Sequence, residues 1–228
     1  MYMKIIHLNQ IDSTNAYLIR ENTEYDDMTF VETDYQTNGK GRENRTWLAQ
    51  RGENSMFSIL IKDKQLVEDY AALSILAALL VRNYLSSYVM DKVTIKWPND
   101  VYVGDKKICG ILLQGKIPAY LVIGIGINVN QKEFIGEYRT TPTSLYLETN
   151  QIFDLAKFNK GLFIYIDEHL DLFKNGLYNP INEIRKYNYL KCKKTQYGKV
   201  VDINDDYSLK VETDSGEIVN IQSGEIKM

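Results

Sequence analysis

The chain has 228 residues, 44% of them hydrophobic, with a net charge of −3 from 27 basic and 30 acidic residues. That length suits one ordinary domain plus a small one, and that apolar content excludes a disordered chain. The near balance of charge argues against a dedicated nucleic-acid binder.

Met3 to Leu8 reads as a first strand; with Lys4 and His7 it lacks the apolar core of a signal peptide. Asp12-Ser13-Thr14-Asn15 supplies helix-starting residues, and a short helix is expected to about Glu21. Such a helix start serves as a cap, and its hydroxyls and free N–H groups also suit a polar ligand head. Thr29 to Asp34 is a second strand. Tyr35 to Trp47 follows as YQTNGKGRENRTW, where Gly39 and Gly41 bracket Lys40 and precede Arg42 and Arg45. Glycines among cations make a loop that can lay backbone N–H groups and positive charge against an anion.

Asn54 to Ile61 is a third strand, and Leu66 to Tyr88 a helix. Val67, Tyr70, Ser74, Ala77, Ala78, Val81 and Leu85 fall on one helical stripe. The longest uncharged stretch in this helix, Tyr70 to Val81, is too short to span a bilayer, so no membrane partner is expected. Val93 to Ile95 leads into KWPNDVYVGDKKICGIL, Lys96 to Leu112. This reads as a strand end and a hairpin turning at Gly104-Asp105, with Lys107 on the returning arm and Gly110 three residues on. Cys109 and Cys192 have no CxxC partner, so free thiols in a reducing cytosol are expected.

Ala119 to Asn128 is an apolar core strand in which Gly124 and Gly126 keep one face bare. Its GIGIN run is a poor dinucleotide fingerprint, because no GxGxxG and no following helix appear. Gln131 to Pro142 is a loop, and Thr143 and Ser144 can start a short helix. Asp154 to Lys174 is an amphipathic helix with Asn175-Gly176 as its stop, and a further helix is expected from Ile181 to Tyr189. His169 lies off the apolar stripe and reads as structural. From Lys191 onward, short β-like runs split by turn residues suggest a small barrel of roughly four or five strands.

Several of these stretches resemble the signatures of biotin protein ligases: the Asp12–Asn15 run, the glycine- and arginine-bearing loop ending at Trp47, the Lys96–Asp100 run with Lys107 and Gly110, and the strand ending at Asn128. The resemblance implies an α+β fold, a mixed β-sheet packed with helices of the class II synthetase kind. It assigns residues 1–188 to a catalytic domain and 189–228 to an SH3-like β-barrel, which usually carries a run like Gly224-Glu225-Ile226. It places Ser13, Thr14, Asn15, Gln36, Gly39, Gly41, Arg42, Lys107, Gly110 and Gly124 at biotin. It places Lys40, Arg42, Arg45, Trp47, Asn99, Lys107 and Asn128 at the nucleotide. Two departures stand out: Lys40 replaces an arginine and loses its planar fork, and Glu43-Asn44 stands where the family commonly has a basic or neutral residue and a small one.

The implied chemistry is charge neutralisation and positioning, which suits a chain without a Ser-His-Asp set, a Cys-His pair or clustered metal ligands. ATP and biotin would be the substrates, with Mg²⁺ on the phosphates and no assignable protein ligands for it. Arg42, Lys40 and Lys107 are the natural counter-charges as the biotin carboxylate attacks the α-phosphate. A carrier-domain lysine, normally protonated near neutral pH, would then attack the adenylate. Asp100 either steers or accepts its proton, or orients Lys107 or a metal. The acceptor implied is a biotin carboxyl carrier protein domain, and a side-by-side homodimer through sheet edges is implied as well. With the catalytic strand starting at Met3, no DNA-binding repressor function is expected. Two rivals remain open: a lipoate or octanoyl transferase of the same fold, and a non-catalytic adaptor that binds biotin or a carrier.

Overall fold

The computed structural model describes residues 3–227. Seven strands form one sheet: β1 (Lys4–Leu8), β2 (Thr29–Thr33), β3 (Asn54–Ile61), β4 (Val93–Lys96), β5 (Asp100–Val103), β6 (Lys106–Lys116) and β7 (Tyr120–Asn128), in the order β1-β2-β3-β7-β6-β5-β4. β1 and β2 run parallel and every other pair is antiparallel, so the sheet is mixed. The α+β reading of the sequence holds. β3 lies inside the sheet between β2 and β7, buried on both faces, which explains why its sequence scarcely alternates.

Among the described residues the α-helices are α1 (Thr14–Arg20), α2 (Lys64–Glu68), α3 (Tyr70–Val89), α4 (Leu145–Thr149), α5 (Leu155–Lys174) and α6 (Ile181–Lys186). On one face of the sheet α1 packs Leu18 against Val31, Leu60 and Val122. The larger core lies on the other face, under α3 and α5. There Phe163 of α5 sits 5.0 Å from the Phe30 ring and 4.6 Å from that of Phe57.

The single helix expected from Leu66 to Tyr88 is two helices that share Asp69 as a cap residue. The stripe assigned to it is also too narrow. Tyr70 is exposed, while Leu73, Ile75, Leu76, Leu79 and Leu80 are buried as well, because the helix lies between the sheet, α5 and α6. Truncating one such leucine would cost on the order of 2–5 kcal/mol. At 20 residues and a mean hydropathy of 1.4, α3 is long and apolar enough to cross a bilayer, contrary to the reading from its uncharged run alone. That run stops at Arg82, which here is a buried core residue: Nε donates to Val93 O at 3.0 Å and the guanidinium lies 3.3 Å from the Tyr187 ring centroid. The helix is covered by β4, β6 and α5.

The helix expected from Ile181 to Tyr189 ends at Lys186. Beyond it the chain runs beside β4, with Ile95 N donating to Tyr187 O at 2.8 Å and Tyr189 N donating to Ile95 O at 2.8 Å. Backbone bonding to an edge strand replaces the last helical turn. The C-terminal strands β8 (Lys194–Thr195), β9 (Gly198–Ile203), β10 (Leu209–Glu212) and β11 (Ile218–Ile221) form a four-stranded antiparallel sheet, in the order β11-β10-β9-β8. Its tie to the first sheet includes Trp97, which is 3% exposed and whose indole donates to Tyr207 O at 2.9 Å. Both cysteines are free.

Candidate active site

A cavity of about 430 Å³ opens where α1, the 39–47 loop, the β5–β6 hairpin, β7 and Glu225 meet. At its α1 end Ser13 caps the helix, accepting from Ala16 N at 3.4 Å, and an accepting hydroxyl still has a proton to give. Gln36 Oε1 accepts from Thr14 N at 2.8 Å and lies 3.1 Å from Thr14 Oγ1. That fixes the Gln36 amide with its nitrogen 3.8 Å from Met56 Sδ, a weak acceptor, so the NH₂ remains a donor for a ligand carbonyl.

Asn15 is differently placed. Its Nδ2 donates to Leu112 O at 3.2 Å and to Gln114 Oε1 at 3.1 Å, and Ser58 Oγ lies 2.6 Å from its Oδ1. Ser58 has one proton and Oδ1 can only accept, so Ser58 donates to Asn15. The Asn15 amide is thus engaged within the protein. Gly124 provides the room: a Cβ there would stand 2.0 Å from Asn15 Oδ1. Ser58 and Gln114 were not singled out from the sequence, since a serine and a glutamine inside strands carry no pattern of their own.

The 39–47 loop is a small hairpin. Trp47 N donates to Gly39 O at 2.9 Å, Gly41 N donates to Arg45 O at 2.7 Å, and Lys40 bridges Thr46. A Cβ at Gly39 would lie 2.6 Å from Trp47 O, so this glycine serves the crossing of the two arms and stands behind the cavity wall. At the tip Glu43 is left-handed with φ 54, a conformation costing about 1–2 kcal/mol for a residue with a Cβ. The Trp47 ring lies over the two glycines opposite: a Cβ at Gly126 would approach it to 2.6 Å and one at Gly110 to 3.0 Å. The bare face of β7 and β6 is therefore filled by Asn15 and Trp47 side chains.

Arg42 reaches from this loop to Asn99, Nη1 to Oδ1 at 2.8 Å, and Asn99 Nδ2 donates to Ile111 O at 2.7 Å. Beside them Lys107 Nζ lies 2.7 Å from Asp100 Oδ1, both side chains roughly three-quarters buried, at 27% and 22% exposure. A β-bulge makes this pair. Asp100 pairs with Gly110 and Val101 with Cys109, but Tyr102 pairs with Lys107, leaving Ile108 as the extra residue. Without it Lys107 would point to the opposite face from Asp100. Asn128 Nδ2 donates to Thr143 O at 2.9 Å, while Asn128 Oδ1 and Trp47 Nε1 are buried without partners. Both residues line the cavity, so an acceptor and a donor await a polar ligand there.

At the mouth Glu225 Oε1 lies 2.9 Å from Arg45 Nη1, and Glu225 Oε2 pairs with Arg139 Nη1. Burial would raise the Glu225 carboxyl, but the Arg139 hydrogen bond and the charges of Arg45 and Arg139 outweigh it and hold it below the usual range. Lys96 lines the same region. Burial pulls its ammonium below the usual lysine range, with Asp100 and Glu225 opposing and Arg139 and Lys107 adding. Lys96, Arg139 and Glu225 are residues that sequence reasoning gave no site role, although two of them lay in runs already singled out. In all, six lysines and arginines and three carboxylates line the cavity of a chain whose net charge is −3. The site is an anion trap in an acidic protein. Among the described residues no three His, Cys, Asp or Glu side chains gather as a metal-binding group.

The arrangement can hold a polar ring system at the α1 end and an anionic, nucleotide-like ligand toward Glu225. The comparisons agree in kind. The biotin/lipoate A/B protein ligase family model matches residues 8–128. The bifunctional ligase/repressor BirA of Bacillus subtilis is 29% identical over 215 residues, 88% of this chain and 66% of that protein, so the chain spans about two thirds of this relative. A biotin–[acetyl-CoA-carboxylase] ligase of Mycobacterium tuberculosis is 31% identical over 129 residues, 54% of this chain and 48% of that one. Among solved structures, the biotin protein ligase of Aquifex aeolicus in complex with biotin and ATP superposes with a TM-score of 0.88 at 30% identity, covering 99% of this chain and 98% of that one. By its matched family model and by this whole-chain likeness, the chain belongs to the biotin/lipoate A/B protein ligase family.

Proposed function

We propose that the chain is a biotin protein ligase. It activates biotin with ATP to biotinyl-5′-AMP and pyrophosphate, then transfers biotin to a lysine of a biotin carboxyl carrier protein domain. The observation that carries this reading is the meeting of Arg42, Asn99 and the Lys107–Asp100 pair at the centre of one cavity, between the hydroxyl- and amide-bearing α1 end and a cationic mouth.

Ser13, Thr14 and Gln36 take the ureido end of biotin, and Asn15 with Gly124 shapes the wall beside them. Arg42 and Lys107 neutralise the biotin carboxylate and the α-phosphate as they meet. Trp47, with its free indole N–H, and Asn128, with its free carbonyl, face the adenosine, while Gly110 and the Gly39–Trp47 loop shield the mixed anhydride from water. Lys40 and Arg45 add charge at the rim, and magnesium enters with the phosphates of ATP. Residues 189–228 form the SH3-like module, whose Glu225 reaches the mouth. We read the setting as cytoplasmic, in keeping with two free thiols, and the balanced charge as that of a ligase without a DNA partner.

Biotin-dependent ATP–pyrophosphate exchange tests this. Exchange is expected with biotin and not with lipoate or octanoate, and to be lost in Arg42→Ala and Lys107→Ala. A folded wild type that exchanges with lipoate or octanoate instead would move the chain to the other branch of its family. No exchange with any acid, together with tight biotin binding, would make it an adaptor.

A further inference from the structure

We propose that Lys96 and Arg139 form the subsite for the pyrophosphate half of ATP, the leaving group of the adenylation step. This rests on the ligase reading and adds to it two residues that reading does not use.

Lys96 ends β4 and stands opposite Asp100 in the β4–β5 register. The charges that act on it belong to two pairs: Asp100 and Lys107 at the centre of the cavity, and Arg139 and Glu225 at its mouth. Its side chain is half-buried and lines the cavity, its ammonium lies 5.4 Å from the Tyr102 ring centroid, and among the described residues no carboxylate stands at ion-pair distance from it. A partly desolvated cation without a counter-ion is unfavourable until an anion arrives. Arg42 and Lys107 already serve the centre, where carboxylate and α-phosphate meet. An anion for Lys96 and Arg139 therefore lies farther out, where the rest of a triphosphate must run.

Glu225 does not compete for this place. A guanidinium has five N–H donors in a fixed fork, and Glu225 uses one edge of Arg139 and one of Arg45. Arg45 is otherwise engaged, Nε with Arg42 O and Nη2 with Glu43, whereas Arg139 is held in position with donors to spare. In the reaction a biotin carboxylate oxygen bonds to the α-phosphorus. The bond from that phosphorus to the bridging oxygen breaks, and the oxygen leaves with its electron pair as part of pyrophosphate. No proton or redox partner is needed. Charge that builds on the departing group falls between Lys96 and Arg139.

The test compares Lys96→Gln, Arg139→Gln and Lys96→Arg with the wild type in two half-reactions. In exchange, the two glutamine variants are expected to raise KM for ATP and for pyrophosphate about tenfold or more, the loss of a charge-assisted bond. Lys96→Arg is expected to restore most of this. Transfer from added biotinyl-AMP to a carrier-domain lysine, which involves no pyrophosphate, is expected to stay at the wild-type rate in all three. Equal losses in both half-reactions would mean a structural role and overturn the subsite, as would an unchanged KM for ATP and pyrophosphate. A direct titration with inorganic pyrophosphate and magnesium separates this from the ligase reading. A wild type without exchange that still binds pyrophosphate through Lys96 would keep the subsite and retract the ligase, and one that binds none would end the proposal.

Discussion

Lys107 Nζ lies 2.7 Å from Asp100 Oδ1, and the two share a face of the β5–β6 ribbon because β6 carries one extra residue at Ile108. The sequence left two roles open for Asp100, steering or accepting the lysine proton, or orienting Lys107 or a metal. The ion pair favours the second. A carboxylate already spent on a largely buried ammonium is a poor base for a further one, and the ammonium needs it in order to stay in place.

We therefore predict that Asp100→Asn slows the exchange half-reaction about tenfold or more, and slows transfer from added biotinyl-AMP as well, because both steps use a fixed Lys107. Lys107→Ala should cost about a hundredfold or more in exchange. Rapid-quench assays of each half-reaction decide the matter. Normal exchange with lost transfer in Asp100→Asn would make Asp100 the base after all.

The bare face of β7 supports a second prediction. Gly126→Ala places a methyl group 2.6 Å from the Trp47 indole, which must then lift, and the loop with it. The backbone of β7 is extended there, so the sheet itself accepts alanine. We expect little change in melting temperature, faster tryptic cleavage at Lys40, Arg42 or Arg45, and premature release of biotinyl-AMP into solution. Cleavage at the wild-type rate would mean that Trp47 finds another seat and that the glycine is not what docks the loop.

Much of this was legible in the sequence, and what was missed has common causes. Strand limits such as Asn54–Ile61 and caps such as Ser144 and Asp154 follow from local rules and were read correctly. The stretches that meet at the cavity stood out too, because glycines among cations and a polar run at a strand end are unusual enough to be conspicuous. α3 was misread because a helix buried nearly all round has no single stripe to find. The bulge at Ile108, the Ser58–Asn15–Gln114 network and the Glu225 bridge are juxtapositions of residues far apart in the chain, and no local pattern encodes them. Trp97 belongs with these. It sits inside the most telling motif, yet its indole is bonded to the C-terminal sheet.

That bond is a third prediction. Trp97→Phe keeps most of the ring volume and leaves Tyr207 O without its 2.9 Å donor. The expected cost is about 0.5–1.5 kcal/mol for a lost hydrogen bond to a part-buried acceptor. Because this contact ties the C-terminal sheet to the strand end that carries Asn99 and Asp100, we expect the 187–193 segment to become protease-sensitive and KM for ATP to rise. Urea melts and limited proteolysis measure the two effects. A variant as stable as the wild type would show that other contacts hold the sheets together.

The Glu225 bridge should respond to acid, and the sign follows from its shift. Its folded carboxyl lies below the ordinary value of 4.5, so its contribution is present at pH values above that and is lost as the pH falls through the folded value. At neutral pH the carboxylate joins Arg45 of the 39–47 loop and Arg139 of the 131–142 loop to the C-terminal module. Protonation removes the charge that both guanidiniums share, and the two loops are then tied to the module less firmly. We predict that amide hydrogen exchange in residues 39–47 and 134–140, corrected for its intrinsic pH dependence, rises in the wild type as the pH falls below the ordinary carboxyl value of 4.5. Glu225→Gln should show the raised exchange already at neutral pH, with no further step in acid. A wild-type profile that stays flat through this range, or a Gln variant protected like the wild type at neutral pH, would mean that the loops are held by Asn99 and the Trp47 seat alone. The module's carboxylate would then be a bystander at the mouth of the site.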